Sequence, residues 1–347
     1  MKIVKFITIF LVIIFTTIII FFYEEDIPKD VVDAKYANHA SQFLDLGKDG
    51  LIHYRDQGDR RAQVIVLLHG SNASLHTWEP WVEQLSNSYR LISLDFPAHG
   101  LTGAVPSGEY STASYLSVVE RILDNLSVDT FVIAGNSMGG GIAWRFALKH
   151  PEKVEALVLV AASGLSIWRT IDAETAKNRF EEAASAQNSI LAFRLLGMPW
   201  FRAIGAKLDP YYLIIQGLKS AYNYSEVVDD DLVMRYYNLH LRDGTRTATL
   251  SRFSQPRIQR SFNLSQISAP TLLMWGEQDP LNSMQVARRF EESIPNTRTA
   301  YYADVGHVPM EEIPKRSADD LQLFLSSVSG SRLIRNQSAM SPMSKDL

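Results

Sequence analysis

Ser137 sits at the centre of Gly135-Asn136-Ser137-Met138-Gly139, between the apolar stretch FVIA and the helix-forming stretch IAWRFALKH. A Gly-x-Ser-x-Gly pentapeptide gains meaning when it joins a strand to a helix, because such an elbow forces the serine into an unfavourable backbone conformation. Glycines two residues before and two after avoid the resulting collisions, and the free N–H groups at the helix start favour a developing negative charge. The spacing therefore reads as a nucleophile built for acyl transfer. The plainer reading is an ordinary turn serine.

A serine hydroxyl attacks only when a base takes its proton. There are eight histidines. His39 and His53 belong to the first strands or precede them, His150 ends the helix that follows Ser137, and His240 lies in a helical region. His307, in ADVGHVPMEE directly after the last apolar strand, is the expected base, since parallel sheets present ligand-facing groups past strand C-termini. The imidazole in turn needs a carboxylate to fix its tautomer. Asp279, in MWGEQDPLN, follows a strand and precedes a helix. Glu277 would point elsewhere on that turn, Asp304 reads as a surface residue, and Asp95 reads as a hydrogen-bond acceptor for the turn FPAHG. Two donors must then meet the oxyanion. The N–H of Met138 is one, and the N–H of Ser71, or alternatively Asn72, in the loop HGSNAS is the other, which leaves His69 a structural hydrogen-bonding role.

The elements that would carry these groups alternate. GLIHYRDQG, QVIVLLHG, YRLISLDFPAHG, TFVIAG, VEALVLVAAS, PTLLMWGEQD and TRTAYYADVGH read as strands, with helices over STASYLSVVERILDNL, SMGGGIAWRFALKH and NSMQVARRFEESI. This is an α/β pattern, a mostly parallel sheet covered on both faces. The alternation stops between Ser163 and Ile267, where helix formers and aromatics predict an all-helical cap. Its Trp168, Phe193, Trp200, Phe201, Tyr211, Tyr212, Leu213 and Ile214 supply apolar surface for helix packing or for an acyl chain, and Arg194 and Arg202 are candidates to receive a carboxylate. The expected organisation is 1–26 membrane anchor, 27–42 linker, 43–163 with 268–326 core, 164–267 cap and 327–347 mobile tail.

Composition excludes several classes. With 347 residues, 46% hydrophobic and 21% charged, the chain is long enough for a large core, and a net charge of −4 without a basic block disfavours nucleic acid. The lack of cysteine removes disulfides and thiolate chemistry. Phe6 to Tyr23 carry no charge, a run close to the thickness of a bilayer core. Glu24, Glu25, Asp26 and Pro28 stand where a cleavage site would need small residues, so an uncleaved anchor is expected over a signal peptide cleaved near Val32-Asp33-Ala34. Lys2 and Lys5 favour a cytoplasmic N-terminus, with the body expected outside, although Lys29 and Lys35 weaken the asymmetry. The alternative is secretion.

The order His69-Gly70, Ser137, Asp279, His307, with a helical insertion before Asp279, resembles the α/β-hydrolase superfamily over about Phe43 to Ser326. The resemblance implies an eight-stranded sheet with a cap, no cofactor and no metal, and a small apolar ester or acyl substrate. Serine at the elbow separates the chain from the dehalogenase and epoxide-hydrolase branches, which carry aspartate there. GNSMGG is similar both to membrane-associated lipases or esterases and to hydrolases of carbon–carbon bonds in ring-fission products. The latter commonly have tryptophan after the histidine, where this chain has Val308. That departure and the anchor favour a membrane-anchored serine esterase or lipase. The alternatives are a carbon–carbon hydrolase, a cofactor-free haloperoxidase-like enzyme and a non-catalytic binding protein on the same fold.

Overall fold

The computed structural model describes residues 21–164, 198–223, 225–255 and 262–339, together with the single positions 6, 10 and 17. Within them the chain forms α1 (Lys29–Tyr36), β1 (Ser41–Asp45), β2 (Leu51–Gln57), β3 (Val64–Leu68), α2 (Glu79–Leu85), β4 (Arg90–Leu94), α3 (Thr112–Asn125), β5 (Phe131–Asn136), α4 (Met138–Lys149) and β6 (Val154–Val160). The cap contributes α5 (Pro199–Gly205), α6 (Tyr211–Ala221), α7 (Asp230–Leu241) and α8 (Thr245–Ser254). The core then resumes with β7 (Thr271–Gly276), α9 (Met284–Ser293), β8 (Thr297–Tyr302), α10 (Pro309–Glu312) and α11 (Pro314–Ala339).

The strands make one eight-stranded sheet in the order β1-β2-β4-β3-β5-β6-β7-β8. β1/β2 and β2/β4 pair antiparallel, and every later pairing is parallel. Apolar runs in the middle strands follow from burial on both faces. Ile65, Leu67, Val132, Val158 and Leu272 pack on one face with Trp81, Leu85, Leu321 and Phe324, whereas Val66, Leu68, Ile133, Leu157 and Leu273 pack on the other with Ile122, Trp144, Phe146 and Phe290. The strand period of two sends neighbours to opposite faces. The parallel register sets Leu68 beside Gly135, Asn136 beside Val160, Val160 beside Met274 and Gly276 beside Tyr302. Strand ends so aligned open the loops after β3, β5, β7 and β8 along one edge.

Helix starts obey local rules. Ser111 caps α3 by accepting the Ser114 N–H at 3.2 Å, and Asp229 caps α7 by accepting the Leu232 N–H at 2.8 Å.

Residues 27–42, read from sequence as a linker, contain α1 and form part of a strap fastened to the cap. The Asp209 N–H donates to the Phe22 carbonyl at 2.7 Å, Glu24 N–H to Lys207 at 2.9 Å and Ile27 N–H to Leu241 at 2.8 Å. Arg242 forks onto Asp33 at 2.6 and 2.9 Å, and Arg246 reaches Asp26 and the Glu24 carbonyl, each at 2.7 Å. A short charged segment shows no such ties in its own sequence, since its partners lie about two hundred positions away. The expected tail at 327–347 also differs: α11 continues to Ala339, because no proline interrupts the run after Pro314 until Pro342. Residues 340–347 lie outside the described residues.

The expected anchor falls on Phe6 to Tyr23, most of which lies outside the described residues. Among the described residues no helix is long and apolar enough to cross a membrane.

Candidate active site

Ser137 joins β5 to α4 with φ 51° and ψ −113°, a strained conformation for a residue with a side chain. Its backbone is held from three directions: its N–H donates to Val160 at 3.0 Å, and its carbonyl accepts from Ser163 at 2.9 Å and Gly141 at 3.0 Å. The two glycines of the pentapeptide are steric requirements. A Cβ on Gly135 would collide with the Gly139 carbonyl, and one on Gly139 with the Leu68 carbonyl oxygen. Ser137 is half-buried at the start of α4.

Asp279 and His307 come together across 28 positions. The carboxylate Oδ2 lies 2.7 Å from His307 Nδ1, with both residues buried. Asp279 is itself oriented, because its Oδ1 accepts the N–H groups of Leu281 at 2.8 Å and Asn282 at 3.0 Å. An acid fixed this way holds the histidine proton on Nδ1 and leaves Nε2 to accept one from a hydroxyl. His307 is anchored by its own N–H, which donates to the Ala221 carbonyl at the end of α6 at 2.7 Å.

Asn136 ties the two halves of the site. Its Nδ2 donates to the Val160 carbonyl at 3.2 Å and to the His307 carbonyl at 3.0 Å, so the residue beside the serine also holds the histidine loop. Glu312 supports that loop from beneath, accepting the Gly306 N–H at 2.9 Å and the Asn223 N–H at 2.8 Å. Neither residue is marked as functional by its own sequence neighbourhood. An amide at the end of an apolar strand was the available signal for Asn136.

Ser71 and Asn72 follow β3 on an exposed turn in which Asn72 takes φ 60°. Arg252 of α8 reaches over both: its Nη2 donates to Ser71 Oγ at 2.6 Å and to Asn72 Oδ1 at 3.4 Å, and its Nη1 lies 3.3 Å from Met138 Sδ. His69, just before this loop, accepts the Phe96 N–H on Nε2 at 3.0 Å and donates from Nδ1 to the Gly70 carbonyl at 2.7 Å. Burial pushes its pKa down, which suits a neutral imidazole with both nitrogens engaged.

The other candidates lie elsewhere. Asp95 pairs with His53 at 2.7 Å and accepts the Leu75 and Leu101 N–H groups at 2.7 and 2.8 Å. Burial alone would raise its pKa, but the His53 hydrogen bond holds it well below the carboxylate range. It is a brace for the turn after β4. Glu277 and Asp304 are exposed, and His150 binds Glu120 at 2.8 Å. In the cap, Trp168, Phe193 and Arg194 lie outside the described residues, whereas Phe201 and Arg202 belong to α5. Trp200, Tyr211, Tyr212 and Leu213 are exposed and Ile214 is half-buried. A polar cleft of about 560 Å³ between α1, α2 and α7 is lined by Arg55, His76, Glu79 and Arg235, and by none of Ser137, Asp279 or His307.

Residues 63–314 match the model of the α/β hydrolase fold family. The chain belongs to that family. This hydrolase is 29% identical over 280 residues to a 2-hydroxy-6-oxononadienedioate/2-hydroxy-6-oxononatrienedioate hydrolase of Cupriavidus pinatubonensis, covering 77% of this chain and 89% of that protein. It is 22% identical over 293 residues to Lipase 1 of Psychrobacter immobilis, covering 83% and 85%. Among solved structures, a membrane phospholipase A described as a bacterial virulence factor superposes with a TM-score of 0.66 at 22% identity, covering 95% of this chain and 99% of that one. At that identity the structural likeness shows the fold, and the relatives span two bond types.

Proposed function

We propose that this hydrolase cleaves carboxylic esters through an acyl-enzyme on Ser137 and is held at a membrane by its N-terminal apolar segment, with the catalytic body outside the cytoplasm. The observation that carries the catalytic part is the oriented Asp279–His307 pair, tied through Asn136 to a strained serine elbow. Ser137 Oγ attacks the ester carbonyl carbon while His307 takes its proton, and Asp279 stabilises the imidazolium. The carbonyl oxygen, now negative, lies against the Met138 N–H and the Ser71 N–H. His307 returns the proton to the departing alcohol. A water molecule, activated by the same imidazole, then releases the carboxylic acid.

Two observations favour an ester substrate at a membrane. Val308, where carbon–carbon hydrolases commonly carry tryptophan, is a buried aliphatic residue packed with Val305 and Met310. The apolar run also emerges beside an exposed apolar surface: Phe21, Phe22 and Tyr23 are 80%, 56% and 47% exposed, and Tyr212 and Leu213 of α6 are 70% and 72% exposed. The Phe22–Asp209 hydrogen bond joins these two stretches. Aromatic side chains of this kind suit a lipid–water boundary.

The test is a panel of nitrophenyl esters and monoglycerides against wild type and Ser137→Ala. Ester turnover abolished by the substitution is expected, and turnover that survives at full rate would remove Ser137 from the chemistry. Dienoic ring-fission products belong in the same panel because the Cupriavidus relative acts on such compounds. Faster turnover of these than of any ester would reassign the bond cleaved. The full-length protein is expected to resist alkaline carbonate extraction from membranes, and a soluble mature chain starting near Lys35 would overturn the anchor.

A further inference from the structure

Arg252 belongs to the cap, yet its guanidinium rests on side chains of the residues whose N–H groups are the proposed oxyanion donors. The Nη2 donor spans Ser71 Oγ at 2.6 Å and Asn72 Oδ1 at 3.4 Å on the loop after β3. Nη1 lies 3.3 Å from the sulfur of Met138, the first residue of α4. One planar fork therefore bridges the two chain segments whose N–H groups must converge. The loop it holds needs holding. Ser71 and Asn72 are exposed, and Asn72 adopts φ 60° in the left-handed region.

Its surroundings suit a fixed cation. The Arg252 guanidinium stacks over the Phe253 ring, 4.3 Å from the centroid, which limits its rotation. Behind the loop, the His69 and His99 rings lie 5.1 Å apart between centroids, tilted at 59°, and both are buried. Burial pushes both imidazoles below their ordinary pKa, and the Arg252 charge pushes them further in the same direction.

We propose that Arg252 is a positioning residue for the oxyanion hole: it clamps the Ser71 loop to Met138 so that both N–H donors aim at one point, and it makes that geometry conditional on α8 lying over the elbow. The inference rests on the ester-hydrolase reading, in which those donors stabilise a tetrahedral intermediate. The cap then completes the catalytic machinery as well as covering it. An oxyanion donor contributes about 10²–10³ in rate, and misplacement by about 1 Å costs about 10². Loosening the Ser71 donor against the fixed Met138 donor therefore falls on the chemical step.

The experiment compares the full-length protein with Arg252→Gln, Arg252→Lys, Ser71→Ala and the double variant Arg252→Gln/Ser71→Ala. The readouts are the rate of Ser137 acylation by a nitrophenyl ester, KM, and the affinity for an alkyl boronic acid, which forms a tetrahedral adduct on the serine. Arg252→Gln is expected to slow acylation by about ten- to a hundredfold with KM within about threefold, and to weaken the boronate by the same factor. Lysine, a single point charge, restores part of the rate. Ser71→Ala alone slows acylation about five- to tenfold, and the double variant is less than additive because both remove one clamp. Unchanged acylation in Arg252→Gln overturns the proposal, as does a loss confined to KM for anionic esters, which would make Arg252 a reader of substrate charge. Should Arg252→Gln fail to fold, Ser71→Ala decides, and an unchanged acylation rate there overturns it. Wild type that is never acylated on Ser137 overturns the ester-hydrolase reading itself, and the clamp with it.

Discussion

Replacing Asp279 by asparagine perturbs one proton and little else. Oδ1 of Asp279 accepts two backbone N–H groups, from Leu281 at 2.8 Å and Asn282 at 3.0 Å, while Oδ2 faces His307 Nδ1 at 2.7 Å. In Asp279→Asn the two backbone donors require an acceptor, so the amide oxygen takes the Oδ1 place and the NH₂ group turns toward His307. Nδ1 must then accept, which moves the imidazole proton to Nε2, the atom that has to receive the serine proton. A base locked in the wrong tautomer loses about 10⁴ in rate, or about 5.5 kcal/mol of transition-state stabilisation at about 1.36 kcal/mol per tenfold. The hydrogen bonds are kept in number, so fold stability should change by no more than about 1–2 kcal/mol. Ester kcat/KM and a thermal melt on the same sample check both halves. Activity within tenfold of wild type, with the fold intact, would refute the tautomer argument; a collapse of the melting temperature would show that Asp279 serves the fold first.

Three further outcomes follow from other parts of the molecule. Gly139→Ala places a Cβ against the Leu68 carbonyl, backbone against backbone with no side chain free to yield, and should cost about 3 kcal/mol or more, read as a fall in the urea midpoint. His76, buried and held down to about 4 mainly by desolvation, stays neutral in the folded state while the unfolded chain binds a proton below about 6.5. Stability is therefore lost as pH falls through that window, by about 3 kcal/mol from this residue, and His76→Gln should flatten the melting curve between pH 7 and 4. Asp33→Ala leaves the buried Arg242 guanidinium without its forked partner, and should lower stability by about 2 kcal/mol and expose the strap to limited proteolysis before the core.

The parts of this hydrolase legible in sequence are those whose signal is local. The elbow's backbone is legible because strand, glycines, serine and helix are contiguous, and the meeting of Asp279 with His307 because each follows an apolar strand at the same edge of a parallel sheet. The supporting groups depend on distant partners. Asn136 meets His307 across 171 positions, and nothing in either segment announces the other. Arg252 is one arginine among several in a helical cap, and its contact with Ser71 spans 181 positions. The strap reads as a linker for the same reason: Asp33 is a plain charge in sequence until Arg242, 209 positions later, folds onto it. In the cap, composition indicated helices, but it could not show that Tyr212 and Leu213 would face outward.

The central claim is a covalent ester chemistry on one serine, and trapping it is the direct measurement. Full-length protein is treated with an alkyl fluorophosphonate, digested and mapped by mass spectrometry. The expected result is a single adduct on the peptide carrying Ser137, lost in Ser137→Ala and formed far more slowly in Asp279→Asn. An unmodified Ser137 in folded wild-type protein, or an adduct that persists at another residue when Ser137 is replaced, would contradict it.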